Sequence, residues 1–173
     1  HFFPSIDYEK FYISHAKKFV TDLNHFSNKM ILIANGPAKS GQSADFNLSQ
    51  VILELSKKYK GLVFVLSDKS ETIVSNDNIF YSQDIIKKPQ GSDLNENSYL
   101  SLHADMVVGR SSGVFSFSFV GDNLFKRKID FISFSNLSSG SKKYWLSNRF
   151  QSKIDYNSKI LDIDLKTSDA AFN

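Results

Sequence analysis

The chain has 173 residues, 41% of them hydrophobic, with 21 Lys and Arg against 18 Asp and Glu and a formal net charge of +3. That length suits one domain with its own core, and the composition lacks the low hydrophobicity and high net charge of disordered chains. So small a charge excess is no basic stripe for nucleic acid, and the absence of cysteine excludes disulfides and thiolate metal sites, which fits a reducing compartment.

His1, His15, His25 and His103 are scattered, without the i,i+4 spacing of a zinc helix, so no metal site is expected. No apolar run approaches the roughly 20 residues that cross a bilayer, so no transmembrane segment is expected. A cytoplasmic location follows, with peripheral membrane association as a further option. A start at His1 rather than methionine raises the expectation of a longer native protein.

From Asp7 to about Phe26, Tyr8, Phe11, Tyr12, His15, Phe19 and Leu23 recur at three- and four-residue spacings, which predicts an amphipathic helix capped by Ser5 or Asp7. Met30 to Ala34 is a continuous apolar run, the pattern of a strand buried on both faces. Gly36-Pro37-Ala38-Lys39-Ser40-Gly41-Gln42-Ser43 follows as a loop whose glycines allow a ligand close to the backbone. Asn47 is placed to cap a helix with Val51, Ile52, Leu55 and Tyr59 on one face, which stops at Gly61 before a second buried strand, Leu62 to Leu66. Ser67 to Asn78 reads as turns, and Ile79-Phe80-Tyr81 as a short third strand.

Asp93 or Asn95 caps the next helix, which carries Leu100 and Ala104 on one face and puts Glu96 where it offsets the helix dipole. Met106-Val107-Val108-Gly109 is then a strand ending in Arg110-Ser111-Ser112-Gly113. Val114 to Phe119 alternates with period two, yet a crossover between parallel strands needs a helix, so a helix is expected. Gly121-Asp122-Asn123 ends it, Lys126-Arg127-Lys128 is a solvated basic run, and Ile129 to Phe134 is a further strand. Ser135 to Ser141 reads as a loop, Lys142 to Leu146 as a short helix, and Lys153 to Leu165 as two extended pieces. Strands alternating with helices predict an α/β fold: a doubly wound, mostly parallel sheet with helices on both faces, in a single domain over residues 1–173. Ligands of such sheets bind outside the carboxyl ends of the strands, where both loops, 36–43 and 109–113, fall.

Those two loops carry the candidate chemistry. Backbone amides at a strand-to-helix turn attract anions, Ser111 and Ser112 add hydroxyl donors, and Arg110 adds a planar charged fork suited to phosphate. Gly36-x4-Gly41-Gln42-Ser43 matches the P-loop pattern GxxxxGK[ST] except that Gln42 replaces the lysine that reaches the β- and γ-phosphates. With Leu62 to Asp68 imitating a strand that ends in a magnesium-binding aspartate, a degenerate P-loop NTPase is one alternative.

The segments Ile31 to Ser43 and Leu94 to Ser101 running on through Asp105 to Gly113 resemble the carboxy-terminal, nucleotide-sugar-binding half of GT-B-type glycosyltransferases, a superfamily that includes the UDP-N-acetylglucosamine 2-epimerases. The resemblance covers roughly residues 30–135 and implies a Rossmann-like half of a GT-B fold within a longer two-domain protein. It implies a nucleotide-diphosphate sugar as substrate and no cofactor, and an acceptor such as a glycan or glycolipid held with the catalytic base by the other half. Arg110, Ser111, Ser112 and Gly113 would then hold the donor phosphates, and Gly36, Lys39, Ser40, Gly41, Gln42 and Ser43 would cover the leaving diphosphate. Many GT-B enzymes hold the ribose with a glutamate near the last binding helix, but Val114 to Val120 contains no acid, which leaves the ribose unassigned. The other alternative is a non-catalytic nucleotide-binding or assembly module that docks through the aromatic and basic stretch Lys142 to Phe150.

Overall fold

The computed structural model describes residues 5–25, 29–37, 47–69, 74–87, 91–110, 112–127, 129–135 and 159–164. Met30 to Ala34 is apolar without a break, so a strand made of it needs cover on both faces. It lies accordingly in β1 (Lys29–Ala34), inside a six-stranded parallel sheet. The others are β2 (Leu62–Leu66), β3 (Ile79–Tyr81), β4 (Met106–Arg110), β5 (Asp130–Ser135) and β6 (Ile160–Asp164), in the order β3-β2-β1-β4-β5-β6.

Strand alternation divides the core into two layers. Met30, Leu32 and Ala34 join Val63, Val65, Val107 and Phe131 on one face, while Ile31 and Ile33 join Phe64 and Leu66 on the other. Helices α1 (Ser14–His25), α3 (Ser82–Ile86), α4 (Leu94–Ser101) and α5 (Gly113–Phe117) cover the first face through Ala16, Val20, Ile85, Ile86, Leu100 and Phe115. Helix α2 (Ser49–Lys58) covers the second through Ile52 and Leu53. The fold is therefore the expected doubly wound, Rossmann-like one.

Several elements differ from expectation. In place of one helix from Asp7 there is a 3-10 turn, Tyr8–Lys10, then extended backbone at Phe11 (φ −117°, ψ 161°), then α1. Asp7 makes no cap bond, and the Tyr8 hydroxyl lies 2.9 Å from Ser98 Oγ on α4, so the turn is held by a distant partner rather than by helix continuation. The buried residues are Ile13, just before α1, and Ala16 and Val20 within it, and Tyr12 is 51% exposed.

On α2, Asn47 Oδ1 accepts the Ser49 N–H at 2.7 Å, as a capping residue does. Its buried face, however, is Leu48, Ser49, Ile52 and Ser56, while Val51, Leu55 and Tyr59 are exposed. Serine is tolerated inside because Ser56 Oγ donates to Leu53 O (2.8 Å) and accepts from Asn76 Nδ2 (2.9 Å).

The ambiguous Val114 to Phe119 stretch begins as helix α5, and its rings follow the helical spacing rather than period two: Phe115 and Phe119 are buried, Phe117 between them is 41% exposed, and Phe119 stacks on Phe131 at 4.4 Å. Helix α3 and a π-helical turn at Asp122–Lys126 were not expected. The π turn brings Asn123 inward, where its Nδ2 donates to Ser101 Oγ (2.9 Å) and Ser118 O (2.8 Å). Lys126 is exposed as expected, paired with Asp122 at 2.5 Å. Lys128, the loop after Ser135, the stretch Lys142 to Phe150 and the earlier extended piece of 153–165 lie outside the described residues, and β6 is the later piece.

Candidate functional site

The order of the strands creates the site. β1 leads to β2 on one side, while β4 pairs with its other side in the register Ile31↔Met106 to Ala34↔Gly109. The chain leaves β1 for α2 on one face and leaves β4 for α5 on the other, so the two strand ends part above the sheet, the usual ligand crevice of such folds.

Gly109 makes the close approach possible. Its φ is +150°, and a Cβ there would lie 2.3 Å from Ala34 O, a distance no side chain tolerates. The next residue turns inward. Arg110 is only 1% exposed, and its Nη1 donates to Asn35 O at 2.6 Å and, more weakly, to Gly36 O at 3.4 Å. The guanidinium therefore holds the carbonyls of the turn that leaves β1, a set of partners that the expectation of a phosphate-binding fork did not include. The physical reason is hydrogen bonding, since a buried charge persists only where such partners meet it.

Asn35 extends the β1–β2 ladder with its side chain. It is 2% exposed, its Nδ2 donates to Asp68 O (2.8 Å), and its Oδ1 accepts from Asp68 N (2.9 Å) and from Ser67 Oγ at 3.4 Å. Arg110 holds the main chain of Asn35 and Asn35 holds the main chain of Asp68, so the ends of β4, β1 and β2 are tied in series. Gly36 lies against Asp68, where an added Cβ would stand 3.4 Å from Oδ2. Neither Asn35 nor the pairing of Asp68 with Gly36 was expected as site structure. The available signal was a polar amide placed directly after a wholly apolar strand.

Of the expected site residues, the structure brings Gly36 and Arg110 together. Lys39, Ser40, Gly41, Gln42, Ser43 and Ser111 lie outside the described residues. Ser112 occupies the position before α5 in extended backbone (φ −120°, ψ 176°) and its carbonyl accepts Ser116 N–H at 2.9 Å, but its hydroxyl makes no cap bond. Gly113 permits the approach of α4, because a Cβ there would sit 3.0 Å from Leu94 Cδ2. Glu96 is in the first turn of α4 and fully buried, beside buried Asn97 and Ser98.

Past the end of β2, Lys69 N–H donates to Gln83 Oε1 at 3.1 Å and Lys69 Nζ pairs with Asp84. Gln83 also lines a cavity of about 290 Å³ with Ile86, Gly91 and Asp93. Perturbed titration lies elsewhere: burial lowers the His103 pKa, with Arg127 adding to the effect, and burial raises Tyr8 and Tyr99. Among the described residues no His, Asp and Glu gather into a metal-binding group, and no helix is long and apolar enough to cross a membrane.

These features define an α/β domain of Rossmann-like winding whose strand order reverses between β1 and β4. No family model matches the chain, and neither a curated protein nor a solved structure matches it.

Proposed function

We propose that this domain binds the nucleotide-diphosphate sugar of a glycosyltransferase, with the diphosphate over the ends of β1 and β4. One observation carries this: the two loops that resemble donor-binding segments leave adjacent strand ends at the reversal of strand order. The loop after β1 and the Ser112-Gly113 turn supply amide and hydroxyl donors to the phosphates. Arg110 contributes from beneath, by fixing the Asn35–Gly36 carbonyls and placing a positive charge under the site. Charge that develops on the departing diphosphate would be stabilised by these fixed donors. Transfer itself requires the second half implied by the resemblance, which would hold a glycan or glycolipid acceptor and the base.

Calorimetric titration with a panel of nucleoside diphosphates and their sugars, combined with amide exchange, tests the proposal. We expect binding between about 1 μM and 1 mM, or roughly −8 to −4 kcal/mol, with protection of amides in 36–43 and 110–113. No heat and no protection across the panel would abandon it in favour of the assembly module. Magnesium-dependent hydrolysis of a nucleoside triphosphate would favour the degenerate P-loop.

A further inference from the structure

Asp68 follows the end of β2 and stands beside the turn that leaves β1. Its backbone is fixed on both sides by the Asn35 amide, at 2.9 Å to N–H and 2.8 Å to C=O, so the sheet holds the main chain from which its carboxylate extends. The residue is partly exposed. Only glycine separates it from the β1 turn, with the space for a Gly36 Cβ ending 3.4 Å from Oδ2 and 3.6 Å from Asp68 Cβ.

A carboxylate in this position conflicts with a site that holds only an anion, because it repels phosphate at close range. A ligand that fits both parts must place hydroxyl groups beside its phosphates, and a carboxylate with two acceptor oxygens suits a vicinal diol. An acid at the end of the second strand, next to a glycine turn after the first, is also where parallel sheets of this strand order accept a ribose.

We propose that Asp68 accepts hydrogen bonds from the ribose hydroxyls of the bound nucleotide, with the ribose packed over Gly36. This rests on the donor-binding reading above and supplies the ribose contact that the α5 region lacks.

The test compares uridine and guanosine diphosphates with their 2′-deoxy counterparts by calorimetry, on the wild-type chain, Asp68→Asn and Asp68→Ala, with EDTA and again with Mg²⁺. The wild type should favour ribonucleotides by about tenfold or more. Asp68→Ala should weaken ribonucleotide binding roughly ten- to hundredfold and 2′-deoxynucleotide binding, which keeps only the 3′-hydroxyl bond, by a factor at least about threefold smaller, with Asp68→Asn between them. The isosteric Asp68→Asn keeps the main-chain clamp, so its unfolding temperature should match the wild type. Equal losses for both nucleotide types, no loss for either, or a loss seen only with Mg²⁺ would overturn the assignment, the last in favour of metal ligation. A wild type that binds no nucleoside diphosphate fails the donor-binding reading itself. One that binds them without preferring ribose fails only the role of Asp68.

Discussion

The β1–β4 pair is closed differently at its two ends. At the amino end Asp105, an exposed residue, does everything with short reach: its Oδ2 accepts Met30 N–H at 2.9 Å and its own N–H donates to Met30 O at 2.8 Å. At the carboxyl end the closure uses a buried guanidinium, a buried amide and glycine at positions 36 and 109. A sheet that needs only to stop can do so with an exposed aspartate. Burying a guanidinium costs far more, and here the carbonyls of Asn35 and Gly36 offset part of that cost. The costlier solution stands at the end where parallel sheets take ligands.

Gly109→Ala gives the largest expected effect. The added methyl must displace the Ala34 carbonyl and adopt a backbone conformation foreign to L residues, so we expect a loss of about 3–5 kcal/mol in urea unfolding. A loss below about 1 kcal/mol would show that the two strands do not approach as closely as described.

Arg110→Ala comes next. Removing a buried, charge-assisted donor should cost about 2–4 kcal/mol of stability, and Arg110→Met should recover packing but not the bonds to the Asn35 and Gly36 carbonyls. An arginine that served only as a surface fork for phosphate would leave stability unchanged and lower nucleotide affinity alone. Unfolding and titration on the same variant therefore decide whether the guanidinium acts through those carbonyls.

The smallest effect belongs to the amino end. His103 follows α4 on the approach to Asp105, and burial, reinforced by Arg127, holds its folded pKa below the ordinary 6.5. The unfolded chain therefore takes up this proton first as the pH falls. Stability supplied by neutral His103 should be complete above about pH 7 and should decline as the pH falls through 6.5 towards the lower folded value. His103→Gln should flatten this slope in a pH series of thermal unfolding, and a slope unchanged in that variant would assign the acid sensitivity to other groups.

Much of this architecture was legible in the sequence, because continuous apolar runs such as Met30 to Ala34 and Leu62 to Leu66 have few other uses than two-sided strands. Topology also resolved the Val114 to Phe119 stretch, where local alternation pointed the wrong way. Pattern failed where tertiary partners decide. The 3-10 turn at Tyr8 depends on Ser98, and the buried serines of α2 depend on Asn76 and on backbone carbonyls. Helix α3 spans five residues, too few for a period to show. At the site the residue types were visible and their orientation was not. Nothing local distinguishes an arginine that turns out to solvent from one that turns in to the Asn35 carbonyl, since its partner lies 75 residues earlier in the chain.

That separation also bears on how the protein is made. On the ribosome β1, β2 and β3 emerge first and form one side of the sheet, while the other edge of β1 stays unpaired until Met106 to Arg110 is synthesised. At about 5–20 residues per second the wait lasts roughly one to several seconds. Throughout it, the apolar backbone edge of Met30 to Ala34 is open to pairing with neighbouring nascent chains. The edge of β1 that borders the ligand end of the finished domain is thus a pairing hazard in the nascent chain until β4 docks on it and Arg110 reaches the Asn35 carbonyl.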